Sequence, residues 1–184
     1  MSKTSTAETE RLVIRAPVEN DRSRFVQLFT DEEFTVFSDG VHSIESANTR
    51  FDQMLVLADA VPYAKQPVIE RDTGTIVGYT GVGTVMLDGL NRLEWGWRFA
   101  AEARGRGYAT EATAALLAAA DRHDHGNMLC IIATDNHPSR RVADKTGFRW
   151  WRRFDWADEP ATYDLLVRSI GTGGAPLLAP DAQR

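Results

Sequence analysis

The chain has 184 residues, of which 43% are hydrophobic and 26% charged, enough for one soluble domain with a proper core. A net charge of -5 excludes a protein that coats nucleic acid, the single cysteine (Cys130) excludes an internal disulfide, and no apolar run reaches the ~18 residues of a membrane span. Residues 1–10 are polar and lack the apolar stretch of a secretory leader, so they are expected to be a flexible terminus on a cytoplasmic protein.

From there the elements follow in order. Residues 11–16 alternate as a strand that Pro17 closes. Residues 18–29 place Phe25, Leu28 and Phe29 at helical spacing, and residues 43–60 repeat the pattern with Phe51, Met54, Leu55 and Ala58 on one face. The connection between them, 30–42, reads as irregular and carries Phe34, Val36 and Phe37. Strands are expected over 66–71, 75–87 and 92–100, with turns at Asp72-Thr73-Gly74 and Asp88-Gly89. An alanine-rich helix over 107–123, a buried strand over 128–133 and a helix over 136–146 capped by Gly147 come next. Residues 148–156 and 162–170 form a closing hairpin, and 171–184 read as a mobile tail. The order is that of a mixed α/β sheet in a single domain over 11–170.

One junction carries chemistry. Arg104-Gly105-Arg106-Gly107-Tyr108-Ala109-Thr110-Glu111 joins a strand to a helix. A glycine-rich turn at a helix N-terminus presents unpaired N–H groups at the positive end of the dipole, a seat for phosphate or pyrophosphate. A dinucleotide fingerprint would need Gly or Ala where Thr110 stands, and no Walker loop occurs in the chain. The pattern R-x-x-G-x-A is met by Arg104, Gly107 and Ala109. Downstream, after the strand over 128–133, comes Asn136-His137-Pro138-Ser139-Arg140-Arg141-Val142-Ala143-Asp144-Lys145-Thr146-Gly147-Phe148.

Together these segments resemble the GNAT superfamily of acyl-CoA-dependent N-acyltransferases, in its RimJ/RimL-like branch. The first is similar to the family's pyrophosphate loop and the second to its N-x-x-S-x-x-V-x-x-K-x-G-F helix. Glu94-Trp95-Gly96-Trp97-Arg98-Phe99 resembles the strand that precedes the loop. The resemblance implies a mostly antiparallel twisted sheet of six to seven strands with about four helices, splayed between its fourth and fifth strands. It implies acetyl-CoA, or another acyl-CoA, as co-substrate and no metal. The pyrophosphate would sit on Arg104, Gly105, Arg106, Gly107, Tyr108, Ala109 and Thr110, with the arginines screening and steering. The pantetheine would lie between the strand of Trp97 and Phe99 and the following strand, near Asn136, and Ser139 and Lys145 would also contact the cofactor. A backbone N–H near Phe99 would stabilise the oxyanion.

Two departures matter for catalysis. The family's tyrosine proton donor, seven residues after the motif asparagine, is replaced by Ala143, which leaves Ser139 as the nearest acid. Glu94 is the candidate base, since alternation sets it with Gly96 and Arg98 on one face; an ion pair with Arg98 or Arg92 is the competing reading. Asp135 and His137 stand in reserve. Phe34, Phe37, Trp97 and Trp151 would line the acceptor site. The branch implies an α-amino acceptor such as a protein N-terminus, attacked directly in a ternary complex, with a small-molecule amine or a non-catalytic acyl-CoA binder as alternatives. No nucleic-acid or membrane partner is expected, and a homodimer is left open. Asp121, His123, Asp124 and His125 look metal-like, but i,i+2 histidines point apart on a helix.

Overall fold

The computed structural model describes residues 5–37, 40–61, 63–122, 126–156 and 160–170. Among these residues eight strands form one sheet: β1 (Ser5–Glu8), β2 (Leu12–Arg15), β3 (Gln66–Glu70), β4 (Ile76–Leu87), β5 (Leu90–Phe99), β6 (Gly126–Ala133), β7 (Arg149–Asp155) and β8 (Thr162–Ile170). Their spatial order is β1-β2-β3-β4-β5-β6-β8-β7. Every neighbouring pair is antiparallel except β5 and β6. Five α-helices accompany them: α1 (Arg22–Phe29), α2 (Glu32–Thr35), α3 (Ile44–Ala60), α4 (Tyr108–Ala120) and α5 (His137–Lys145).

Two elements exceed the sequence-based count. Residues 5–8, expected to be flexible, pair with β2 from Ala7↔Ile14 to Glu8↔Val13. Their composition gives no strand signal; they are held by Ala7 on the core and by Thr9, whose hydroxyl accepts from Leu12 N–H and donates to Glu111. The second addition is α2, a single turn inside the connection expected to be irregular. Asp31 caps it by accepting from Phe34 N–H at 2.9 Å, and Phe34 then drops into the core. Residues 171–184 lie outside the described residues.

The sheet's two faces carry separate cores. α4 covers one, packing Ala112, Leu116 and Leu117 over Trp95, Phe99 and Met128. α1, α2 and α3 cover the other with Phe25, Phe29, Phe34 and Phe51 around Tyr79. At the C-terminal end Leu87, Leu129 and Leu165 form a third cluster with Trp151 and Phe154.

α5 ends as its sequence implies. Gly147 has φ +90°, and its N–H bonds Asp144 O at 3.4 Å while Phe148 N–H bonds Ala143 O at 3.0 Å. This double-bonded terminus sinks Ala143 and Phe148 completely into the core. The hairpin that follows is tied by Asp164, which accepts from Arg153, Arg140 and Trp150 Nε1. Arg153, helped by Trp150 and Arg140, holds the Asp164 carboxyl below its ordinary value against the opposing cost of burial. Its contribution to stability is therefore present above the unfolded pKa and lost as pH falls through the folded one. Asp164→Ala is expected to lower unfolding free energy by about 2–4 kcal/mol in urea titrations at pH 7, since three donors lose their acceptor.

Candidate active site

β5 and β6 run parallel and pair only at Glu94↔Leu129. On its other side β5 holds an unbroken register with β4 from Gly78↔Phe99 to Leu87↔Leu90, and Ala100 N–H donates to Val77 O at 2.9 Å. Alternation then turns the N–H groups of Trp97 and Phe99 toward β6, past the point where the strands part. From the far wall Ile131 N–H reaches in and donates to Glu94 Oε1 at 3.3 Å. The expected splay is therefore present, with a carboxylate at its vertex.

The phosphate-type loop opens beside it. Gly105 (φ +72°) and Gly107 (φ +82°) both adopt the left-handed conformation that lets the chain turn tightly into α4. The first intrahelical bond runs from Glu111 N–H to Gly107 O at 3.0 Å, so the N–H groups of Tyr108, Ala109 and Thr110 have no acceptor within the helix. Both arginines have partners within the protein. Arg104 donates to Phe99 O at 3.2 Å and to Glu33 O, bridging β5 to α2. Arg106 pairs with Glu70 at 2.8 Å and lies 4.6 Å over the Tyr108 ring, which Arg11 also covers at 4.7 Å. Tyr108 itself is buried and donates to Glu70 at 2.6 Å. These side chains brace the loop beside the N–H groups that have no acceptor within the helix.

Asn136 is buried at the N-cap of α5, where its Oδ1 accepts from Ser139 N–H at 3.1 Å. Its carbonyl is spent on the cap, which leaves the amide nitrogen for a ligand. Ser139 is half-buried in the first helical turn, while Lys145 is exposed in the last. Arg140 is occupied by Asp144 and Asp164. Ala143 has no room for a tyrosine, because the helix terminus packs it against Phe148 in the core. Burial, with Glu94 nearby, pushes the Cys130 thiol well up and leaves it inert.

Glu94, Gly96 and Arg98 share the α1–α3 face of β5 with their β4 partners Gly83, Gly81 and Tyr79. Burial raises the Glu94 pKa, although Lys65, the Ile131 N–H and Arg98 pull the other way. No ion pair joins Glu94 to Arg92 or Arg98 among the described residues. Phe34 lies on this face, 6.1 Å from Tyr79, with the Arg98 guanidinium 5.6 Å above its ring. Trp151 stands on the same side through its cluster with Leu129, and Phe37 is exposed beyond α2. Trp97 does not join them as a substrate wall. It shares parity with Trp95 and Phe99, so its ring lies on the α4 side, 6.4 Å from Phe148.

Lys65 and Tyr79 belong to this site but carry no motif. Tyr79 could have been found from its pairing with Arg98. Lys65 could not: it is delivered by the chain entering β3, where Val82 N–H donates to Tyr63 O at 2.7 Å and Lys65 N–H to Val82 O at 2.9 Å. Of the metal-like cluster, His123, Asp124 and His125 lie outside the described residues, and Asp121 pairs with Arg168 at 2.6 Å.

Residues 11–149 match the family model described as an acetyltransferase (GNAT) domain. No curated protein sequence matches the chain. Among solved structures, one described as a GNAT-family acetyltransferase from Bordetella pertussis is 26% identical, covers 88% of this chain and 97% of its own, and has a TM-score of 0.77. RimL, a ribosomal L7/L12 α-N-protein acetyltransferase in complex with coenzyme A, is 16% identical over 91% of this chain and 98% of its own, with a TM-score of 0.76. The ribosomal-protein-S5-alanine acetyltransferase of Vibrio fischeri is 13% identical over 89% and 95%, with a TM-score of 0.74. A family match across most of the chain, on a sheet that parts beside a glycine-braced helix N-terminus, assigns this protein to the GNAT acetyltransferases, enzymes that transfer an acyl group from acyl-CoA to an amine.

Proposed function

We propose that this enzyme acetylates an α-amino group, in the manner of the RimJ/RimL-like branch, by direct attack of the amine in a ternary complex with acetyl-CoA. The observation that carries the proposal is the Glu94 carboxylate, raised in pKa by burial, at the one residue where the two halves of the sheet meet. The co-substrate supplies an acyl group activated as a thioester. The chain's own residues do the rest. N–H groups of residues 105–110 bind the pyrophosphate, with Gly105 and Gly107 permitting close approach. The edges of Trp97 and Phe99, with the Asn136 amide nitrogen, hold the pantetheine arm, and a free β5 N–H faces the developing oxyanion. Glu94 takes the proton from the amine, and Ser139 Oγ gives one on the leaving-group side.

Proton chemistry supports the α-amine, as do two of the fold's neighbours, which are named for protein α-amines or alanine. An α-amine near pKa ~8 is about a tenth deprotonated at pH 7, whereas a lysine near ~10.4 is hundreds of times less so. That difference amounts to about 3 kcal/mol of apparent barrier, which one carboxylate base does not readily supply.

The test is CoA release from acetyl-CoA with free-N-terminal peptides and lysine-type or polyamine acceptors in separate pools. Release confined to the α-amines supports the proposal. Release only with side-chain-type amines rejects it, and CoA binding without release from any pool leaves a missing acceptor, another acyl donor or a silent binder. For the loop, Gly107→Val is expected to weaken CoA binding at least about tenfold by calorimetry, because a β-branched residue resists φ +82° and crowds the anion seat.

A further inference from the structure

Most arginines of known geometry in this protein have an oxygen partner; Arg98 is an exception. Its Nη1 is buried and makes no hydrogen bond. The guanidinium lies over two ring faces, Phe34 at 5.6 Å and Tyr79 at 5.9 Å, and neither replaces an acceptor for a desolvated N–H. Lys65 stands half-buried beside it, with Nζ 5.4 Å over the Tyr79 ring and no carboxylate in contact among the described residues. Gly83 makes room for it, since a Cβ there would stand 3.0 Å from Nζ. The resulting positive field is felt by Tyr79: burial alone would raise its phenol, yet Arg98, Lys65 and Arg50 together bring it below the ordinary value.

These groups surround an opening. A Cβ built on Gly96 meets no atom within 4 Å, so the floor between Glu94 and Arg98 is clear. The two side chains leave the strand four residues apart, about 13 Å along it. One end of the opening holds a carboxylate suited to an amine and the other holds Arg98, while Lys65 lies between them, its Nζ against Gly83 opposite Glu94 and over Tyr79 opposite Arg98.

Resting on the acyl-transfer reading above, we infer that the acceptor carries a carboxylate near its reacting amine, held by Arg98 with support from Lys65. The carboxylate belongs either to the amino acid that bears the amine or to an acidic residue next to a peptide N-terminus. Both present the same group to the same guanidinium.

The test uses acetylated products, whose nitrogen no longer titrates, in calorimetric titrations of the protein with CoA bound. N-acetylalanine is compared with N-acetylalaninamide, and N-acetyl-Ala-Asp-amide with N-acetyl-Ala-Asn-amide. The acid of at least one pair is expected to bind about tenfold to a hundredfold tighter than its amide, and the pair that discriminates identifies the source of the carboxylate. Arg98→Gln is expected to erase that preference while leaving amide and CoA affinities intact; Lys65→Gln reduces it, and serves alone if Arg98→Gln fails to fold. Equal affinities within both pairs overturn the inference, as does a preference that survives the substitutions or a loss of CoA binding in Arg98→Gln. CoA release is followed on the matching amines in parallel. A preserved acid preference without any release rejects acyl transfer and leaves the anion site standing.

Discussion

Glu94→Gln is expected to lower kcat/KM for the amine by about a hundredfold to ten-thousandfold at pH 7, with CoA affinity unchanged. The substitution removes the proton acceptor but keeps an oxygen for the Ile131 N–H, so the vertex of the splay retains its bond. The wild-type rate should fall on the acid side as Glu94 protonates, at a pH above the ordinary carboxylate range because burial raises this group. In the variant that limb disappears. Stability moves oppositely. Between the unfolded and the raised folded pKa the native state binds more protons, so the stability owed to Glu94 is fully present below the unfolded value and is lost as pH rises through the folded one. At pH 7 the variant should therefore melt no lower than wild type. An unchanged rate, or a rate lost together with the fold, would remove Glu94 from the mechanism.

Gly78→Ala should do the reverse and damage the fold first. A Cβ at Gly78 would stand 2.2 Å from Arg98 O and 2.9 Å from Phe99 Cα, both backbone atoms of the paired strand. Neither can withdraw without separating β4 from β5 at the centre of the sheet. The expected loss is about 3 kcal/mol or more in urea unfolding, a large share of the 5–15 kcal/mol typical of a domain. Gly96→Ala is the control on the same strand pair. Its methyl group meets nothing within 4 Å, so the fold should persist while KM for the acceptor rises. A Gly78→Ala protein that unfolds like wild type would contradict the pairing of Gly78 with Phe99.

Much of this arrangement was legible in the chain, and what was not shares a cause. The helix over 43–60 and the cap at Gly147 appear almost where local spacing puts them, because capping and amphipathicity are local. The parity of Trp95, Trp97 and Phe99 was equally visible and already places Trp97 with the core, against its use as an acceptor wall. Non-local pairings were hidden. Nothing near Arg104 or Arg106 in sequence announces that Phe99 O, Glu33 O and Glu70 will claim their guanidiniums. Residues 5–8 become a strand only because β2 and Thr9 hold them. Lys65 reaches the site because a distant segment crosses β4. For the site itself, the loop and the shared face of Glu94 and Arg98 could be read from motif and alternation, whereas Lys65 could not.

The position of β8 between β6 and β7 has a consequence for how the protein is made. Strands β1 to β5 can pair as they leave the ribosome, each beside a neighbour already synthesised. β6 cannot: its parallel edge meets β5 at one residue, and its other partner is the last strand of the sheet. Until Ile170 has emerged, β6 and β7 are strands with open edges, the kind of surface that pairs with other nascent chains. A stop or truncation before β8 thus spares half the sheet yet leaves the other half adhesive, and chaperone dependence during synthesis should concentrate in that final interval.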